Sequence, residues 1–172
     1  MNQNTVSASY DKTPAKERYP LYAEQVLGGG ACRSIGRLYT MLLDRNFIVD
    51  NTVQQALVSP TFRVTARYTF LKLVLVTPDE IDLPEGGLMQ SIEAQAKKHH
   101  LGILPMDTAP FLMLQMRSSQ WSAHPSIVVA SEPVVLSDSP HLFAVSKSQI
   151  RLVSGEPTTP WQKDQPFLFR RL

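Results

Sequence analysis

A chain of 172 residues with 43% hydrophobic and 19% charged content carries enough apolar material for one sizeable core, which excludes intrinsic disorder over most of its length. Its 17 basic and 15 acidic residues leave a formal charge of +2, so the chain as a whole has no electrostatic footprint for nucleic acid or an anionic membrane. The single cysteine, Cys32, excludes an internal disulfide, and no apolar run approaches the roughly 20 residues of a membrane span, so cytoplasmic residence is the expectation.

Residues 1–20 read as a polar arm carrying Asp11, Lys12, Lys16, Glu17 and Arg18, without the apolar run of a signal peptide. Residues 21–172 read as a single domain. Gly28-Gly29-Gly30 opens a helix over about 31–45, in which Ile35, Leu38, Leu42 and Leu43 recur at helical spacing and Arg37, Thr40 and Asp44 face away. The glycines make no P-loop, because no Gly-Lys-Ser/Thr follows. They make no dinucleotide fingerprint, because Arg33 stands where the third glycine belongs. Cys32, at the start of this helix, reads as a small packing residue; a nucleophilic role would need a histidine brought in by the fold. Asn51-Thr52-Val53-Gln54 has a capping-box pattern with Asn51 as N-cap, predicting a short helix that stops before Pro60.

The run from Phe62 to Val76 predicts a core-facing β-ribbon. Phe62, Val64, Ala66, Tyr68 and Phe70 share one parity, and the apolar parity switches at Leu71 to Leu71, Leu73 and Leu75, as a bulge or bend would produce. Val74 and Val76 are apolar too, so this half is expected to be buried on both faces. Arg63 and Arg67 would share the opposite face, about 13 Å apart at roughly 3.3 Å per residue. With Lys72 they could receive an anionic ligand; a solvated sheet face is the plainer alternative. Asp79, Glu80, Asp82 and Glu85 form an acidic loop whose spacing does not fit a calcium loop. A second helix is expected over about 88–100, with Gly102 at C′ and His99 and His100 in its last turn. Those two histidines point about 100° apart and do not chelate one metal from a regular helix, while His124 and His141 are isolated in sequence. No metal or cofactor is expected.

The remainder reads as strands: 111–116, 126–130, 134–136, 142–146, 149–153 and 167–170, broken by Pro, Ser, Asp and Gly. Helices first and strands later predict an α+β fold, with a largely antiparallel sheet of about five to seven strands, two main helices and a helix-rich N-terminal half. Phe111-Leu-Met-Leu-Gln-Met116 is apolar on nearly every residue, and Phe167-Leu-Phe-Arg-Arg-Leu172 is apolar up to the last residue. Such segments are covered, by the chain's own sheet or by a neighbour, which makes Phe111, Met113, Phe167, Phe169 and Leu172 candidate interface residues.

Met41-Leu-Leu-Asp44, Leu101-Gly102 and Ser131-Glu-Pro-Val-Val-Leu-Ser-Asp138 occur in an order that resembles the chorismate lyase family and its relatives, the ligand-binding domains of some GntR-type regulators. The resemblance spans roughly a third of the chain and implies that Asp138 stands where that family places its catalytic glutamate. The chain lacks the stretch between the first strand and the second helix where that family carries an extra strand and an essential arginine.

Two functional expectations follow, and whether there is catalysis stays open between them. The first is a non-catalytic cytoplasmic binding or assembly protein, acting through a protein partner or a second copy of itself. The second is a small organic-anion-binding domain or lyase using Arg63, Arg67, Lys72 and Asp138. A nucleic-acid-binding subunit using the arginine face of the ribbon is a further alternative, which the near-neutral charge disfavours.

Overall fold

The computed structural model describes residues 18–28, 34–117, 120–121, 124 and 126–172. Nearly all of the 1–20 arm, the later glycines of the Gly28–Gly30 run and Cys32 lie outside the described residues. In chain order the elements are β1 (Leu21–Leu27), α1 (Ile35–Asp44), β2 (Ile48–Val49), α2 (Asn51–Val58), β3 (Thr69–Val76), β4 (Gly87–Leu88), α3 (Met89–Lys98), β5 (Leu101–Gly102) and α4 (Thr108–Gln115). Then follow β6 (Ile127–Val129), β7 (Val134–Leu136), β8 (Ser139–Val145), β9 (Gln149–Ser154), β10 (Pro160–Trp161) and β11 (Phe167–Arg171).

The fold is α+β, but its sheet departs from the expected one. Nine strands form one mixed sheet in the order β1-β3-β11-β6-β8-β9-β2, with β5 beside β11 and β7 beside β8, while β4 and β10 pair separately. β11 runs parallel to β6, and β2 runs parallel to β9. A largely antiparallel sheet of five to seven strands with two helices is therefore incorrect; among the described residues four helices pack on a mixed sheet of nine strands. The cause is long-range. The last strand of the chain inserts between β3 and β6, and no local pattern encodes that insertion.

The central strands are buried on both faces. Leu71, Leu73 and Leu168 point into a core shared with Leu38 and Leu42 of α1, Leu57 of α2 and Leu112 of α4. Val74, Val76, Phe167 and Phe169 point into a second core against Ile92 and Ala96 of α3. The period-two side-chain alternation of β3 and β11 divides the two cores, so the sheet is a middle layer with helices on either side.

Local signals explain the helices. Ser34 caps α1, its hydroxyl accepting from the Arg37 N–H. The N-cap of α2 is Asp50 and not Asn51: its carboxylate accepts from Thr52 Oγ1 at 2.6 Å and the Val53 N–H at 2.9 Å. The Thr52 bond, helped by Val53, holds the Asp50 carboxyl below its ordinary pKa. This cap therefore stabilises fully above the ordinary carboxylate value and is lost as pH falls through the lowered one. At the end of α3, His100 occupies the left-handed region at φ 57°, so Gly102 is not the C′ residue; it lies in β5 opposite Arg170. His99 is the C-cap of α3, its N–H donating to the Gln95 and Ala96 carbonyls, while its ring bonds to Asp82 at 2.8 Å and meets the Tyr19 ring at a right angle.

Two strand expectations fail. Phe111–Met116 belongs to α4 and its C-cap, with every residue from Thr108 to Leu114 buried. A helix buried all round shows no amphipathic period, so its apolar run reads like that of a buried strand. Pro110 in its first turn is the signal that favours the helix. In the expected ribbon only Thr69–Val76 is strand, and the irregularity is not at Leu71: the register shifts in β1, where Leu21 faces Val74 and Ala23 faces Leu73. Residues 62–68 are irregular, and within them Thr65 is bound by Asp107 and not by a neighbouring strand.

Candidate functional site

The segment that was to carry the arginines is shaped by one buried carboxylate. Asp107, fully buried ahead of α4, accepts from the Thr65 N–H at 2.6 Å and from Thr65 Oγ1 at 2.8 Å. These bonds pull Thr65 out of any ladder. From the other side Gly28, at φ 71°, lies so close that a Cβ there would stand 2.2 Å from the Arg67 carbonyl oxygen. Side-chain amides tie α4 to β1. Gln25 Nε2 donates to the Thr108 carbonyl at 3.0 Å, and Gln115 bonds both the N–H and the C=O of Val26. Gln115 thus satisfies the outer edge of β1 at Val26 as a neighbouring strand would. Glu24 shares the parity of Val26, so its N–H and C=O also face outward.

Burial raises the Asp107 carboxyl above its ordinary pKa, and the Thr65 bonds oppose but do not cancel this. A carboxyl raised in the folded state favours folding below the unfolded pKa and destabilises it as pH rises through the folded one. Asp107→Asn should therefore gain stability relative to the native chain as pH rises from about 4 toward neutrality. Urea midpoints of both proteins across that range test this, and a pH-independent difference would refute it.

Among the described residues, one face of β1 and of the start of β3 is uncovered. The second core takes Val74 and Val76 but stops short of Lys72 and Phe70. Phe70 is 52% exposed opposite Val26, and Tyr68, just before the strand, is 73% exposed. Lys72 faces Glu24 directly, an opposite-charge cross-strand pair. Two exposed aromatic residues, two positions apart near the edge strand β1, thus stand where side-chain parity places core residues. The Tyr68–Phe70 alternation carries no mark that, among the described residues, its half of β3 has no helix above it.

The anion-site candidates are dispersed. Arg63 donates to the Pro60 and Phe62 carbonyls and lines a cavity of about 350 Å³ with Thr65, Leu104, Glu132 and Arg170. Arg67, Lys72 and Asp138 do not line it. Arg63 and Arg67 do not share a strand face, since neither lies in a strand. Asp138 is exposed at φ 66° and with Ser137 at φ 48° makes the two-residue turn between β7 and β8, a role that suits aspartate without any ligand. Of the interface candidates, Phe111 and Met113 lie in the first core and Phe167 and Phe169 in the second, while Leu172 is 64% exposed.

Among the described residues no three His, Cys, Asp or Glu side chains gather as a metal site would require, and no helix is long and apolar enough to cross a membrane. No protein-family model, no curated protein and no solved structure matches the chain.

Proposed function

We propose that the protein acts by binding another protein chain, with no chemistry of its own, and that the contact surface is the uncovered face of β1 and β3. The exposed pair Tyr68 and Phe70 carries this reading. Tyrosine and phenylalanine are enriched where surfaces become buried on association. A seven-residue edge strand, β1, lies beside them, blocked at Val26 by Gln115 and, among the described residues, open at Glu24. The single cysteine supports the cytoplasm as the setting.

A second copy of the chain is the partner to test first, because an edge strand pairs readily with its own symmetry mate. Sedimentation velocity over a range of concentrations should show the native chain as a reversible dimer. Tyr68→Ser/Phe70→Ser should sediment as a monomer with an unchanged melting midpoint, since neither side chain belongs to a core. A native chain that stays monomeric would move the search to other proteins. A double variant that dimerises as well as the native chain would reject the surface.

A further inference from the structure

We propose that the cleft at the C-terminal end of α4 binds a small organic phosphate carrying at least two negative charges. The cleft has a volume of about 680 Å³, and its lining includes Arg45, Asn46, Phe47, Arg117, Lys147 and Ser148. No carboxylate lines it. In a chain with 17 basic and 15 acidic residues, three cations converging without an acid is a local segregation of charge.

Cations at a helix C-terminus ordinarily serve the helix's own carbonyls, and both α1 and α4 end at this cleft. Here several of those carbonyls are already bound by other groups. The Leu43 carbonyl accepts from the Asn46 N–H at 2.8 Å, and that of Leu42 from the Phe47 N–H at 3.1 Å. The Leu112 carbonyl accepts from the Met116 N–H at 3.0 Å, and that of Leu114 from the Arg45 guanidinium at 2.8 Å. Arg45 is therefore held in place with donors to spare. The side chains of Arg117 and Lys147 have no hydrogen bond or ion pair among the described residues. The backbone beneath Arg117 is ordered by its N–H donating to Gln120 Oε1 at 2.8 Å.

Two guanidinium forks and one ammonium suit phosphate oxygens, the forks binding two oxygens at once and the ammonium acting as a point charge. Asn46 and Ser148 add neutral donors. Half-buried Phe47 supplies an apolar wall for the organic part of the ligand. The volume falls within the range of small-molecule sites. A polyanion between the three cations also removes their mutual repulsion, which a neutral ligand cannot do. Gln115 lines the cleft and also bonds Val26 at the edge of β1, but neither test alters it and the cations lie apart from Tyr68 and Phe70, so the two readings are tested separately.

The test is calorimetric titration of the full chain with ADP at low salt, beside adenosine as the uncharged control. The expected result is one-site binding of ADP, weakened by added salt, and no binding of adenosine. Arg117→Ala/Lys147→Ala should weaken ADP by about ten-fold or more at an unchanged melting midpoint, because neither side chain has a partner to lose among the described residues. Failure to bind ADP, equal affinity in the double variant, or equal binding of adenosine would overturn the proposal. So would single-stranded RNA that binds more tightly than ADP at the same salt and is lost in the same variant, which would make the cleft a nucleic-acid groove.

Discussion

Gly28→Ala should destabilise this protein by about 3 kcal/mol or more, measured as a shift in the urea midpoint at unchanged slope. Gly28 sits at φ 71°, where an L-residue carries a strain of roughly 1 kcal/mol. The added methyl would stand 2.2 Å from the Arg67 carbonyl oxygen and 3.0 Å from that of Thr65. Both are backbone atoms, and the backbone there cannot yield freely because Thr65 is held by Asp107 through bonds of 2.6 and 2.8 Å. Either the end of β1 shifts or those bonds to a buried carboxylate stretch, and hydrogen bonds to charged groups contribute about 1.5–3 kcal/mol each. Gly36→Ala is the control. Gly36 lies in the first turn of α1 with nothing within 4 Å of a new Cβ, so alanine there should gain up to about 0.5–1 kcal/mol. In a Thr65→Val background the Gly28→Ala penalty should shrink in part, because the hydroxyl bond to Asp107 has gone while the N–H bond remains. A Gly28→Ala protein as stable as the native chain would mean that β1 and residues 65–67 do not meet as described.

Phe169→Ala should remove about 3–5 kcal/mol, a large share of the roughly 5–15 kcal/mol that holds a domain of this kind folded. Phe169 is fully buried in β11, between β3 on one side and β6 on the other. Its ring lies 6.3 Å from that of Phe167, which meets Trp161 edge-on at 5.2 Å. Truncation leaves a cavity among rigid neighbours on a strand that cannot move without disturbing three others. The loss should be independent of protein concentration, since the ring packs inside its own chain. Leu172→Ala, at the exposed end of the same segment, should change stability by no more than about 0.5 kcal/mol. If Phe169→Ala altered association but not the unfolding midpoint, the interface role expected of this tail would be restored.

These two variants mark where sequence patterns suffice and where they stop. Along β11 the apolar run Phe167-Leu-Phe169 announces a covered strand, and it is one. The core positions of α1 and α3, Leu38, Leu42, Ile92 and Ala96, follow from helical spacing, and the strands at 127–129, 134–136 and 149–154 lie where turn residues bracket them. β1 escaped because buried Gln25 interrupts its inward apolar parity, and that glutamine is tolerated only because Thr108 accepts from it. Tyr68 and Phe70 were misassigned because parity tells which face a residue shares, not whether anything covers that face.

The cleft of Arg45, Arg117 and Lys147 was equally illegible. Its three cations come from the ends of α1 and α4 and from the turn between β8 and β9, far apart in sequence. What the sequence determined by itself is therefore local: the α+β class, the apolar stripes of two helices, and the turns that bracket several strands, all set by side-chain period and by backbone preferences over a few residues. The tertiary structure alone decided that β11 enters the middle of a mixed sheet, that Phe111–Gln115 is helix, and that one arginine cluster faces a cleft while another disperses. Those outcomes depend on contacts between distant segments, whose free energy no short window of residues contains.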